Sequence, residues 1–331
     1  MIAEKGRIMA GKGNCEVNSC AFRTSIGGQA LIEGVLMRGP DKQAIAVRDP
    51  KGEIIVKVEE RKFTKENYPI LGLPFIRGIV IFIGSLIQGV KALMYSADFF
   101  PEEEGEPSRF EKWLNEKLGD AKMEKLVIAA SVVLSMCLTV GLFFLLPTFL
   151  AGLVDPYLNS VVVHNLIEGF VKIVIFFLYL ILCSKQKDIY RVFQYHGAEH
   201  KTIFCYERGL PLTPENAAKM PKHHPRCGTS FLFVVLVVSI LVTSVVFTYV
   251  EWRNLWVRMG MHLLLLPVVI GITYEFNRSV GAHDNKLTRL LSAPGMWLQN
   301  FTTNEPDLSM LEVAIASVLP VIPEEKGRDA W

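Results

Sequence analysis

Four apolar runs of about twenty residues each restrict this chain to folds that a bilayer can accept. They cover residues 126–146, 166–183, 231–250 and 255–274. The first and third carry no charge; the second holds Glu168 and Lys172 at i and i+4, a spacing that lets them pair near one membrane face. The fourth has Arg258 near its start and His262 one turn on, placed to serve helix packing. Half of the 331 residues are hydrophobic and the mean hydropathy is positive, which points to membrane insertion. A fifth apolar stretch, 70–94, is broken by Gly72, Pro74, Gly78, Gly84 and Gly89 and carries Arg77 and Lys91. Those charges suit an interfacial or re-entrant helix over 69–97 better than a clean span.

Loop charge sets the expected orientation. Segment 184–228 carries Lys185, Lys187, Arg191, Lys201, Arg208, Lys219, Lys222 and Arg226, whereas 155–165 has no Lys or Arg and 251–254 only Arg253. By the positive-inside rule the long loop and both termini are cytoplasmic. The net charge of +2 says little by itself.

The expected organisation is an α-helical polytopic membrane protein with a small cytoplasmic α+β part. Residues 1–22 read as a flexible tail, and the first sixty hold no apolar core of signal-peptide length. Residues 23–68 form a β-rich part. Four glycines between positions 27 and 39 favour strand pieces with tight turns or close backbone approach over a long helix. The runs 44–48 and 53–59 around Asp49-Pro50-Lys51-Gly52 read as a hairpin, with Ile54, Val56 and Val58 on the buried face of its second strand. Glu33 and Arg38 need partners, either as a structural pair at a strand edge or in a shared cleft with the histidines. An acidic loop and a surface helix fill 98–125, and a four-helix membrane domain fills 126–292. The 293–331 part holds a cytoplasmic helix over 308–319 and a frayed tail from Glu324. An interfacial helix over 286–301, broken at Pro294-Gly295 and anchored by Trp297, precedes it.

Chemistry concentrates at Tyr195-His196-Gly197-Ala198-Glu199-His200-Lys201. On a helix His196 and His200 share one face with Glu199 beside them, so two imidazoles can chelate one metal while a carboxylate takes a proton from bound water. The pattern H-x-x-E-H inverts the familiar zinc-protease motif. The bland reading is a polar interfacial helix whose histidines satisfy backbone or headgroup groups. A third ligand comes either from Glu275 or from His223, His224 and Cys227, and spacing does not choose between them. His223-His224 also suits a basic loop on lipid phosphates. The six cysteines form no disulfide framework, and Cys15 and Cys20 are a weak half of a metal clip.

Four stretches together resemble the YqhQ-like family of bacterial membrane proteins. They are Gly27-Gly28-Gln29-Ala30-Leu31-Ile32-Glu33-Gly34-Val35-Leu36-Met37-Arg38, the histidine motif, His224-Pro225-Arg226-Cys227-Gly228-Thr229-Ser230, and Thr302-Thr303-Asn304-Glu305-Pro306-Asp307. The resemblance implies a multi-pass protein of the bacterial plasma membrane, and the family carries the label of a metal-dependent enzyme. The functional expectation is a membrane-embedded metal-dependent hydrolase, perhaps a peptidase, with its site at the cytoplasmic face. Glu199 is its base and a divalent transition metal, zinc first, its cofactor. The alternative is a non-catalytic scaffold or accessory subunit of a membrane machine such as a protein translocase. Expected partners are the lipid bilayer and a membrane protein or second copy. Nothing points to nucleic acid, because no basic patch with interleaved aromatics occurs.

Overall fold

The computed structural model describes residues 22–61, 69–100, 120–158, 160–250, 254–283, 285–325 and 327–330. The tail with Cys15 and Cys20, the acidic loop 101–107 and most of the expected surface helix lie outside these residues. The described part is mainly helical, with one small antiparallel sheet.

Strands β1 (Gly27–Leu31), β2 (Gly34–Arg38), β3 (Lys42–Arg48) and β4 (Ile54–Glu60) form a meander in chain order. The expected hairpin is β3–β4, in register from Lys42↔Glu60 to Arg48↔Ile54. Successive side chains on a strand point to opposite faces, and both faces of this sheet are covered. Val35, Met37, Ala44 and Ala46 join the core on one side. Leu36, Ile45 and Val47 join a second core on the other. Val56 and Val58 are not buried as the alternation suggests, being 39% and 46% exposed. Strand β4 is the edge of the sheet, where the covering elements run out.

Helices α1 (Ile76–Ala97), α2 (Asp120–Val140), α3 (Leu146–Gly152), α4 (Val161–Ser184), α5 (Lys187–Glu207), α6 (Pro214–Ala218), α7 (Gly228–Val246), α8 (Leu255–Ala282), α9 (Lys286–Thr302) and α10 (Leu308–Val318) follow. Residues 120–125 thus open the long helix α2, and a π-helical turn at Gly141–Leu145 joins it to α3. Among the described residues, five helical stretches are long and apolar enough to cross a membrane: Ile76–Ala97, Ala129–Gly152, Val161–Ser184, Gly228–Val246 and Leu255–Ala282. Four match the expected spans, and α1 is a fifth. Its glycines do not break it. A Cβ at Gly78 would lie 2.7 Å from Tyr274 and one at Gly89 would lie 2.6 Å from Gln29, so they let α1 approach its neighbours.

The chain divides into two compact units. One comprises Met1–Phe100, Leu180–Val235 and Ile270–Trp331; the other comprises Pro101–Tyr179 and Leu236–Val269. In the first, the sheet lies between helices. Tyr195, Ala198 and Phe204 of α5 and Met310, Leu311, Val313 and Val318 of α10 cover one face. Ala92, Tyr95, Phe99 and Phe100, at and just beyond the end of α1, cover the other. Asp307 caps α10 by accepting the Met310 N–H at 2.9 Å. Two further expectations are corrected. Helix α9 runs unbroken through Pro294, whose fixed φ is already helical. The tail is pinned where Asp329, 2% exposed, accepts the Thr24 hydroxyl at 2.5 Å and the Tyr206 hydroxyl at 3.0 Å.

Gly197 shows how tightly these layers meet, since a Cβ there would sit 2.1 Å from the Asn304 carbonyl oxygen. Overpacking of this kind costs about 1–3 kcal/mol. Gly197→Ala should therefore lower the thermal unfolding midpoint of the detergent-purified protein by several degrees. An unchanged midpoint would mean that segment 302–306 can move away from α5 freely.

Candidate metal centre

Helix α5 is unusual in burying nearly every side from Tyr195 to Cys205. The sheet, α6 and α10 pack against it, so its polar side chains must find partners inside the protein. His196 and His200 do so through the backbone. The His196 Nδ1–H donates to the Thr302 carbonyl at 2.8 Å, and the His200 Nδ1–H donates to the Lys222 carbonyl at 2.5 Å. A carbonyl only accepts, so both rings carry a proton on Nδ1, and Nε2 is the nitrogen each would offer a metal.

Both Nε2 atoms face the same place. His196 Nε2 lies 3.1 Å from Cys227 Sγ. His200 Nε2 is buried with no hydrogen-bond partner among the described residues. One donor atom from each of His196, His200 and Cys227 lies within 4.8 Å of the others. A buried imidazole nitrogen without a partner is costly, and a metal ion would satisfy it, so the donor set fits a divalent transition metal. Outer hydrogen bonds from ligating histidines to backbone carbonyls are what such sites use to fix tautomer and orientation.

Cys227 stands directly before α7. Its sulfur receives the Thr229 N–H at 3.4 Å and lies 3.1 Å from the Thr229 hydroxyl. Burial raises its proton affinity, but His196 and His200 lower it by more, and the thiol is held well below its ordinary range. Burial alone would lower His196, whereas the adjacent sulfur and Glu199 raise it, with a net value of about 9. These directions describe a thiolate beside an imidazolium, a sulfur already in its metal-binding form.

Glu199 is 5% exposed. It accepts the Gly28 N–H of β1 on Oε1 at 2.9 Å, and its Oε2 lies 3.9 Å from His196 Nε2. Burial raises its pKa, and the neighbouring imidazoles offset only part of this. A Cβ at Gly28 would meet the Leu36 carbonyl at 2.5 Å and Glu199 Cγ at 3.0 Å, so the glycine lets β1 lie against α5.

The remaining ligand candidates stand elsewhere. Glu275 forms a two-pronged ion pair with Arg77, whose Nε donates to Oε1 at 2.7 Å, and it accepts the Phe75 N–H at 3.3 Å. That pair answers the question raised by Arg77 in an apolar helix. His223 is outside the donor group, with its pKa lowered by burial and then by Lys222. His224 lies near His200, ring centroids 5.5 Å apart, but its Nε2 is 3.7 Å from Glu207, which also pairs with Arg226. Glu33 and Arg38 do not pair with each other. Glu33 holds Arg191 and accepts the Tyr195 hydroxyl at 3.1 Å, while Arg38 donates to Ser85 at 3.2 Å.

Gln299 of α9 is a site residue that sequence reading missed. Fully buried, it accepts the His224 N–H at 2.8 Å and donates to the His224 carbonyl at 2.8 Å and to Ser230 Oγ at 3.1 Å. It thereby fixes the loop that delivers Cys227. A buried Gln inside an otherwise ordinary amphipathic helix was the one available signal.

Burial also governs His224. It lowers the imidazole pKa, the bond to Glu207 resists, and the result is about 4 against 6.5 for a free imidazole. Below pH 6.5 the unfolded chain binds a proton that the folded chain refuses until about pH 4, so acid favours unfolding across that window. The expected loss is about 3 kcal/mol in full. Thermal unfolding followed from pH 7 to pH 4 should show this loss, and His224→Gln should flatten that part of the profile.

The family described as "Protein of unknown function (DUF1385)" matches residues 73–324. The "Uncharacterized protein YqhQ" of Bacillus subtilis (strain 168) is 36% identical over 292 residues, which cover 88% of this chain and 90% of that protein. No solved structure matches. With most of its length matched by the family model, the chain is a member of the DUF1385 family.

Proposed function

We propose that this chain is a membrane-embedded metal-dependent hydrolase, with peptides as the first substrate class to test. His196, His200 and Cys227 hold a divalent metal, zinc first, and Glu199 is the general base. One observation carries the reading: three donor atoms gather within 4.8 Å with both Nδ1 protons already committed to backbone carbonyls. Structural zinc sites use four protein ligands, whereas three ligands leave a position open for catalysis. When bound, such a metal polarises a carbonyl and acidifies water at neutral pH. Glu199 is placed beside the donor group, with Oε1 fixed by Gly28 and Oε2 left to take a proton from the attacking water and return it to the leaving group. Its raised proton affinity suits that exchange.

Burial supports a second reading. His200 is 1% and Glu199 5% exposed, which also suits a metal that only braces a scaffold or accessory subunit. Elemental analysis beside a peptidase assay separates the two. Wild type should carry about one metal per chain and His196→Ala/His200→Ala should carry none. Glu199→Gln should keep the metal and lose at least about 100-fold in rate. Retained metal with an undiminished rate rejects Glu199 as base, and absence of metal after reconstitution with zinc, manganese and iron rejects the site.

The proposed location is a bacterial plasma membrane with both termini cytoplasmic. Parity supports it. The sheet, α5 and α10 share one core, so they lie on one side of a bilayer. Three apolar helices separate β4 from α5, and an even number of them must cross. Helix α1 is the one that does not cross. Its start is tied to α8 by Arg77–Glu275, and its end packs on the sheet through Ala92. Both ends of the α2–α3 pair and of α4 are then free to reach opposite faces. A phosphatase reporter, active only outside the cytoplasm, should be silent when fused after Asp98 and active after Tyr157. Activity after Asp98 would make α1 a full span and overturn this topology.

A further inference from the structure

Arg38, the last residue of β2, takes no part in the metal site. It shares a strand face with Leu36, so it points to the side of the sheet that the end of α1 covers. Its Nη1 donates to Ser85 Oγ, in the middle of α1, at 3.2 Å. Its Nε and Nη2 are buried and have no hydrogen-bond partner among the described residues. Those two atoms form the edge of the guanidinium that offers two parallel N–H groups and matches a carboxylate or a phosphate. Arg77 fills this edge with Glu275, and Arg191 fills it with Glu33. Left empty under cover, it costs the desolvation of a charged donor.

The acids around Arg38 are already engaged. Glu33 holds Arg191 and the Tyr195 hydroxyl, and Asp41 pairs with Arg328 at 2.8 Å. Across the strands Arg38 faces Gln43, and Gln43 faces Glu59. Gln43 donates to Glu59 Oε2 at 2.8 Å, and Lys57 holds Oε1 at 2.9 Å. What stands near Arg38 is a second guanidinium, that of Arg61, whose Nη1 donates to the Gly39 carbonyl at 2.6 Å. Burial, and after it Arg61, lower the pKa of Arg38, the direction expected of a cation without its anion.

The place is open to a ligand from the α1 side. Arg38 and Ser85 are each half-buried as whole residues, so the empty edge lies just beneath the surface. Ser85 Oγ accepts the Arg38 bond, which leaves its own proton to give to an anion. A Cβ at Gly84 would meet nothing within 4 Å, so the surface of α1 next to Ser85 is clear. Ile81, Ile83, Leu86, Ile87 and Val90 of the same helix are exposed and apolar.

We propose that Arg38 and Ser85 form a binding site for the phosphate group of a membrane phospholipid. Arg38 Nε–H and Nη2–H take two phosphate oxygens, the Ser85 hydroxyl takes one of them, and the acyl chains follow the exposed apolar side of α1. Three donors suit the several oxygens of a phosphate better than the two of a carboxylate. The lipid source rests on α1 lying at the cytoplasmic surface of the bilayer, as proposed above, where anionic headgroups collect. The phosphate contact itself rests on Arg38 and Ser85 alone. A lipid held here ties the middle of α1 to the sheet through a group that neither carries.

Native mass spectrometry of the full chain released from detergent micelles tests this. The probes are phosphatidylglycerol, diacylglycerol with the same acyl chains, and inorganic phosphate. Wild type should retain phosphatidylglycerol and not diacylglycerol. Arg38→Gln should weaken that retention by about tenfold or more, and Ser85→Ala, which leaves Arg38 and the fold in place, by about fivefold. Arg38→Lys keeps the charge without the paired N–H edge and should fall between wild type and Arg38→Gln. Equal retention in wild type, Arg38→Gln and Ser85→Ala overturns the site. Equal retention of diacylglycerol overturns the role of the phosphate. Displacement of the lipid by inorganic phosphate at equal concentration overturns the lipid source in favour of a soluble phosphate compound. The Asp98 fusion reports on the placement of α1 separately, so a failure there is distinct from a failure at Arg38.

Discussion

The proposed metal site depends on two hydrogen bonds that contain none of its candidate ligand atoms: His196 Nδ1–H to the Thr302 carbonyl and His200 Nδ1–H to the Lys222 carbonyl. A neutral imidazole has one proton and two nitrogens. Committing one proton to a backbone oxygen on the far side leaves Nε2, on the near side, as the atom a metal would take. The carbonyls come from the end of α9 and from the loop before α7, far apart in sequence. The tautomers of two residues on one helix are therefore set by tertiary structure, and the site exists only when those segments have docked. Gln299 enforces that docking, because it closes hydrogen bonds to both backbone groups of His224 and to Ser230.

A second constraint is the narrow gap between α5 and what surrounds it. Gly28 lets β1, and Gly197 lets the 302–306 segment, lie close against the same helix. Neither position tolerates a Cβ without displacing backbone. The helix is wedged, and its polar residues cannot turn outward to water. Burial then sets the electrostatics. It raises the proton affinity of Glu199 and lowers that of His224, while the mutual attraction of His196 and Cys227 overcomes it.

This explains what the sequence made legible. The helix-borne His196, Glu199 and His200 were readable because one periodicity places all three, and hairpin β3–β4 because turn chemistry and strand composition agree locally. The apolar lengths of α2–α3, α4, α7 and α8 were readable for the same reason. The third donor was not. Glu275 stands at an attractive distance along the chain, yet sequence spacing cannot see that Arg77 reaches it first. Cys227 was one of several residues in a short polar loop, and only Gln299, on another helix, determines which of them faces the histidines. Val56 and Val58 misled because alternation marks an apolar face without saying whether anything covers it. The glycines of α1 read as interruptions, whereas Gly78 and Gly89 are contact points, a distinction that only Tyr274 and Gln29 supply.

The two buried polar centres resolve the same problem in different ways. At the proposed metal site an acid and a base stand side by side, so the proton moves from sulfur to imidazole and the pair balances itself; the remaining Nε2 lone pair on His200 is what calls for a ligand. Around Glu168 several donors share one acid. A single carboxylate organises Thr148 of α3, Lys172 of α4 and Arg258 and His262 of α8, and so ties three helices together through one charge. Interhelical polar contacts in lipid contribute modestly per bond, but here they converge on one group whose loss would strand two cations among apolar helices.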